Sequence, residues 1–65
     1  MTPEELRDIR AGAGWTRRQL ARAIKVSPRT IEEWEHGRNA IPEPVAELVR
    51  IKAAGRRRYL RRSTS

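Results

Sequence analysis

The residues with reach for chemistry are almost all cations. Fifteen Lys and Arg stand against eight Asp and Glu in 65 residues, giving a net charge of +7 and an isoelectric point near 11.5. A guanidinium presents a planar fork of donors that matches paired acceptors and phosphate oxygens, so the chemistry on offer is the holding of anions. Covalent chemistry is poorly supplied. There is no Cys, which excludes a disulfide scaffold, a zinc site built on thiolates and a thiol nucleophile. The single His, His36, has no nucleophile to serve as a base and is too little for a His-based metal centre. No catalytic residue, metal or cofactor is expected, and a chain of 7.5 kDa leaves little room for a deep small-molecule pocket.

The cations are unevenly placed. Residues 1–54 hold ten Lys and Arg and all eight acids, a net of +2, whereas residues 55–65 hold five Arg and no acid, a net of +5. The reading is a nearly neutral domain over 1–54 followed by a basic tail over 55–65, with a polyanionic partner, nucleic acid before membrane. Apolar runs are far too short to span a bilayer. Tyr59 and Leu60 are too few apolar anchors for a membrane-surface segment. Acids begin at Glu4 with no apolar stretch behind them, which is not a secretory signal. A cytoplasmic, nucleoid-associated protein is the expectation.

Four helices are needed to position these groups. Thr2-Pro3-Glu4-Glu5 reads as an N-cap, a proline at the first helical position and a capping-box acid. The first helix then runs on Leu6, Ile9 and Ala13 and stops at Gly12 and Gly14. Thr16-Arg17-Arg18-Gln19 is a second capping box, with Trp15 and Leu20 as its hydrophobic staple. Ser27-Pro28 caps a third helix that puts Ile31 and Trp34 on one face and ends near His36-Gly37. Only Lys25-Val26-Ser27 separates the second helix from the third. Two short helices joined so tightly cross at a steep angle, which describes a helix-turn-helix. Pro44 opens a fourth helix carrying Val45, Leu48 and Val49, and Gly55 is read as its end. The predicted core is Leu6, Ile9, Trp15, Leu20, Ala21, Ile24, Val26, Ile31, Trp34, Ile41, Val45, Leu48 and Val49. A core this thin supplies no more than about 3–5 kcal/mol. The fold class is all-α, a compact four- to five-helix bundle containing a helix-turn-helix.

The stretch from Trp15 to Arg38 resembles the phage repressor and Cro class, also called the xenobiotic-response-element family. The matching residues are Gln19, the small Ala21 where two helices touch, Val26-Ser27 entering the third helix, and Ile31, Trp34, Glu35 and Gly37. The resemblance covers roughly residues 4–54. Many members have five helices and carry Gly or Asn where this chain has Lys25. The resemblance implies a pair between Glu35 and Arg10, structural rather than chemical.

A helix-turn-helix lays its second helix in the major groove of B-DNA, N-terminal residues first, where base edges present a full donor and acceptor code. Here that helix exposes Pro28, Arg29, Glu32, Glu33 and His36. Arg29 is the leading base reader, because Arg grips guanine O6 and N7 with both prongs. Glu33 either accepts from a cytosine amino group or holds Arg29 in an i, i+4 pair. The Pro28 ring suits a thymine methyl. Thr16, Arg17, Arg18, Lys25, Ser27, Thr30, Arg38 and Asn39 are the phosphate candidates, several of them beside helix N-termini that favour anions. Arg56, Arg57, Arg58, Arg61 and Arg62 are expected to add charge from a mobile tail. Trp15 and Trp34 are read as core.

The function expected is a sequence-specific, DNA-binding regulator, a small bacterial or phage repressor of its own operon. Its partner is double-stranded DNA with an inverted-repeat operator, bound as a homodimer formed at the latest on DNA. The fourth helix and the segment after it, including Val49, Ile51, Tyr59 and Leu60, would be the contact surface. The alternatives are an RNA-binding basic protein, or an antitoxin that also binds its operator.

Overall fold

A computed structural model of the chain describes residues 1–63, which form α1 (Pro3–Gly12), α2 (Arg17–Ile24), α3 (Pro28–Glu35) and α4 (Glu43–Ser63). No strand occurs among the described residues. Both capping boxes form. Thr2 accepts from the Glu5 N–H and Thr16 from the Gln19 N–H, each at 3.1 Å, and the Glu5 and Gln19 side chains accept in return from the Thr2 and Thr16 N–H groups. Ser27 caps α3 by accepting from the Thr30 N–H at 3.2 Å. These bonds satisfy N–H groups that the first helical turn leaves without partners.

The first three helices end alike. One or two residues past each end a residue turns left-handed, and the N–H beyond it reaches back to a carbonyl five residues earlier. Those bonds are Trp15 to Arg10 at 3.1 Å, Val26 to Ala21 at 2.9 Å and Arg38 to Glu33 at 3.0 Å. Such an ending requires positive φ. Gly14 (φ 72°) and Gly37 (φ 73°) supply it after α1 and α3, but Lys25 (φ 60°, ψ 47°) supplies it between α2 and α3. A side chain in that conformation costs on the order of 1 kcal/mol. Lys25→Gly is therefore expected to stabilise the domain by about 1 kcal/mol, raising its melting temperature by roughly 4–8 °C. Thermal unfolding followed by circular dichroism checks this, and an unchanged or lower midpoint contradicts it.

α3 packs on α2 and α1, and α4 packs on α1 and α2. Leu6, Leu20, Ala21, Ile24, Ile31, Trp34 and Val49 form the buried cluster, with Ile9, Trp15, Val26, Ile41 and Val45 half-buried against it. Ala21 is small enough for α2 and α3 to meet over it. Two expectations are corrected. Leu48 is not core but lies at the surface, 37% exposed, while Ala13, Ala46 and Ala53 are buried in its stead. On α4 the buried stripe is Val45, Ala46, Val49 and Ala53. Leu48 falls outside it, and Ala46 and Ala53, which carry little hydropathy, fall inside it. Gly55 does not end α4: the helix runs through it to Ser63. What holds the extra turns is contact with α1 and the turn after it. The Arg57 guanidinium lies against Gly12, and Leu60 Cδ1 is 3.7 Å from the place a side-chain carbon on Gly14 would occupy.

Candidate nucleic-acid interface

α3 owes its orientation to Ile31 and Trp34, which face inward and are 0% and 7% exposed. Its outer face is thereby fixed. Pro28 and Arg29 stand in solvent on the first turn, and the Arg29 side chain is 85% exposed. Its Nε lies 3.8 Å from Glu33 Oε1, one helical turn on. Glu33 Oε2 accepts from Asn39 Nδ2 at 2.9 Å, so the loop after α3 is tied to the same carboxylate. Glu33 thus orients two donors that are far apart in the sequence pattern. Glu32, in the middle of α3, and His36, just past its C-terminus, are also exposed.

The phosphate candidates fall into three places. Thr16 and Arg18 are exposed at the start of α2, where with Gln19 and Arg22 they line a shallow hollow. Ser27 and Thr30 exchange a hydroxyl contact of 2.8 Å at the start of α3, with Lys25 exposed just before them. Arg38 and Asn39 are exposed after α3. All three lie on the helix-turn-helix itself.

Arg17 behaves differently. Glu35, whose side chain is 0% exposed, accepts from Arg10 Nε at 2.7 Å, Arg10 Nη2 at 3.4 Å and Arg17 Nε at 2.9 Å. Arg10 Nη1 also donates to the Trp15 carbonyl at 3.0 Å. The expected Arg10–Glu35 pair is present, and Arg17 joins it. Only a faint signal for this third member is legible in the chain: Arg17 opens α2 directly after Thr16 and Trp15, whose carbonyl Arg10 holds. Burial alone would raise the Glu35 carboxyl, but hydrogen bonds from Arg10 and Arg17, with their charges, outweigh burial and leave it below its ordinary value. The second guanidinium leaves the triad with a net positive charge. The Arg17 side chain is 43% exposed at the edge of α2.

The remaining arginines are on α4. Arg56 is half-buried, its guanidinium 5.6 Å from the Tyr59 ring centroid, and Arg58 is exposed. The side chains of Arg61 and Arg62, counted with the tail, lie outside the described part, as do Thr64 and Ser65. Among the described residues no cluster of His, Asp and Glu is arranged to hold a metal ion. No helix of the described residues is long and apolar enough to cross a membrane.

A family model described as a helix-turn-helix domain matches residues 4–62, nearly the whole chain and including the last turns of α4. The chain belongs to the helix-turn-helix domain family. No curated protein and no solved structure matches it. As a helix-turn-helix protein it is a DNA-binding protein, and α2 and α3, packed on one another, are its helix-turn-helix pair.

Proposed function

We propose that this protein is a sequence-specific transcriptional regulator of the repressor and Cro type, acting as a small repressor on an inverted-repeat operator. The observation that carries the reading is the outer face of α3. Its inner face is locked by Ile31 and Trp34, and its first turn holds Arg29 in the open beside Pro28 and Glu33. A guanidinium at the exposed N-terminal end of the second helix of such a pair is placed to grip a guanine. Pro28 offers its ring to a thymine methyl, and Glu33 steers Arg29 or accepts from cytosine. Thr16, Arg17, Arg18, Lys25, Ser27, Thr30, Arg38 and Asn39 set the register on phosphates.

One short α3 contacts only a few base pairs, so specificity calls for two copies on half-sites about one helical turn apart, roughly 34 Å. The dimer surface expected from the sequence needs revision. Val49 is fully buried and Leu60 is half-buried against the turn after α1, which leaves Ile51 and Tyr59, 61% and 62% exposed, with Leu48 beside them on α4.

Selection of bound sequences from a random duplex pool tests the reading. An inverted repeat is expected, and a single asymmetric half-site or no enrichment contradicts it. On the selected site Arg29→Ala is expected to weaken binding by about 1–3 kcal/mol and to relax one base position, while binding to random duplex changes little. Equal losses on both duplexes would make Arg29 a phosphate contact.

A further inference from the structure

The basic end of the chain is a docked helix rather than a loose arm, and this changes what it can do. α4 crosses Gly55 without a break and its backbone stays helical to Ser63. Two side chains fasten these turns, Arg57 against Gly12 and Leu60 against Gly14. Gly14 lies two residues before Thr16, the cap of α2. The end of α4 is therefore held beside the N-terminal turn of α2.

The charge there is uncompensated. Arg7, Arg10, Arg17 and Arg29 each pair with a carboxylate. Among the described residues Arg56, Arg57 and Arg58 pair with none, and neither do Arg18 and Arg22 on α2. The Arg56 Nε is enclosed without a hydrogen-bond partner while its guanidinium rests over Tyr59, so this cation is oriented although nothing in the described chain neutralises it. Residues 55–65 contain no acid at all. Unneutralised guanidinium groups carried on a docked helix match the fixed phosphates of a duplex. The cost of ordering the arginines is met on folding rather than on binding.

We propose that residues 56–63 form a rigid helical strut, anchored on Gly12 and Gly14, which extends the α2 phosphate-binding surface along the backbone of the same DNA duplex, flanking the bases read by α3. The strut binds duplex phosphates without reading sequence. It rests on the DNA-binding reading above, and it differs from a mobile basic arm in one testable respect: its helix must stay intact.

The test uses the full chain and a random-sequence duplex of about two helical turns, with affinity measured against salt. Three variants separate the terms. Arg56→Gln/Arg58→Gln removes charge and leaves the Arg57 contact with Gly12 in place. Gly55→Pro breaks the helix and leaves every charge in place. Gly55→Ala stiffens it, and a methyl there meets no atom within 4 Å. The double variant is expected to lower the slope of log affinity against log salt by about 2 units. Gly55→Pro is expected to weaken binding on the order of tenfold, with the Trp15 and Trp34 fluorescence of the folded body retained. Gly55→Ala should bind as tightly as the parent or more so.

A Gly55→Pro protein that binds like the parent overturns the strut in favour of a loose arm. An unchanged slope in the double variant overturns the phosphate contacts. Should Gly55→Pro fail to fold, the double variant and Gly55→Ala still decide, because weaker binding by the stiffened Gly55→Ala helix also overturns the strut. Loss of self-association in sedimentation with an unchanged slope would assign these turns to a second copy of the chain. Tighter binding to structured RNA than to duplex would overturn the DNA partner. A parent protein that binds no duplex at low salt would instead sink the DNA-binding reading itself.

Discussion

An Arg10→Ala protein is expected to lose about 3–5 kcal/mol, most of the stability a domain of this size holds. Glu35 is fully enclosed, and Arg10 gives it two hydrogen bonds, at 2.7 and 3.4 Å. Removing Arg10 leaves a buried carboxylate with Arg17 alone and frees the Trp15 carbonyl as well. Arg17→Ala should cost much less, about 1 kcal/mol, because Arg17 is partly solvated and Arg10 remains. Denaturant unfolding of the two variants checks the order, and equal losses would contradict the assignment of Arg10 as the main partner.

The same site sets a dependence on pH. The folded Glu35 carboxyl lies below its ordinary 4.5, so the unfolded chain takes up the proton first as pH falls. The stabilisation is complete above pH 4.5 and is lost as pH drops through the lowered folded value. In Glu35→Gln that part of the acid sensitivity should disappear. An identical acid limb in parent and variant would mean that other carboxyls govern it.

Ile31→Ala is the second large effect, with an expected loss of about 2–5 kcal/mol. Ile31 is fully buried and anchors α3 in the cluster it shares with Leu6 and Leu20. The cavity left behind costs contacts that a small core does not replace, and α3 would lose its fixed angle as well as its stability. Leu48→Ala is the matching control. Leu48 reads as core from spacing but is 37% exposed, so its loss should be about 1 kcal/mol, well below that of Ile31. Chemical denaturation of both proteins provides the comparison, and a Leu48 loss as large as that of Ile31 would place Leu48 in a buried interface.

Local chemistry wrote the first three helices into the sequence. Thr2, Thr16 and Ser27 each bring an oxygen to an N–H that the adjoining helix cannot satisfy, and Gly14 and Gly37 permit the left-handed exits. These signals act within five residues, so they can be read without knowing what lies across the core. The helix-turn-helix comes from them, because three residues between two capped helices leave only a steep crossing. The exposure of Arg29 was legible for the same reason, since Ile31 and Trp34 fix which face turns inward.

Tertiary contact decided the rest. Gly55 looks like a stop because glycine weakens a helix by about 1 kcal/mol, yet Arg57 and Leu60 find Gly12 and Gly14 across the fold and carry α4 past it. Those partners are more than forty residues away in the chain, and no local pattern announces them. Arg17 looked like a free cation until α3 brought Glu35 within 2.9 Å of it. Leu48 and Ala46 exchanged places because the buried face of α4 is set by the surfaces of α1 and α2. Capping and turn chemistry are local and survive in the sequence. Which face is buried, and which charges meet, depends on segments that only folding brings together.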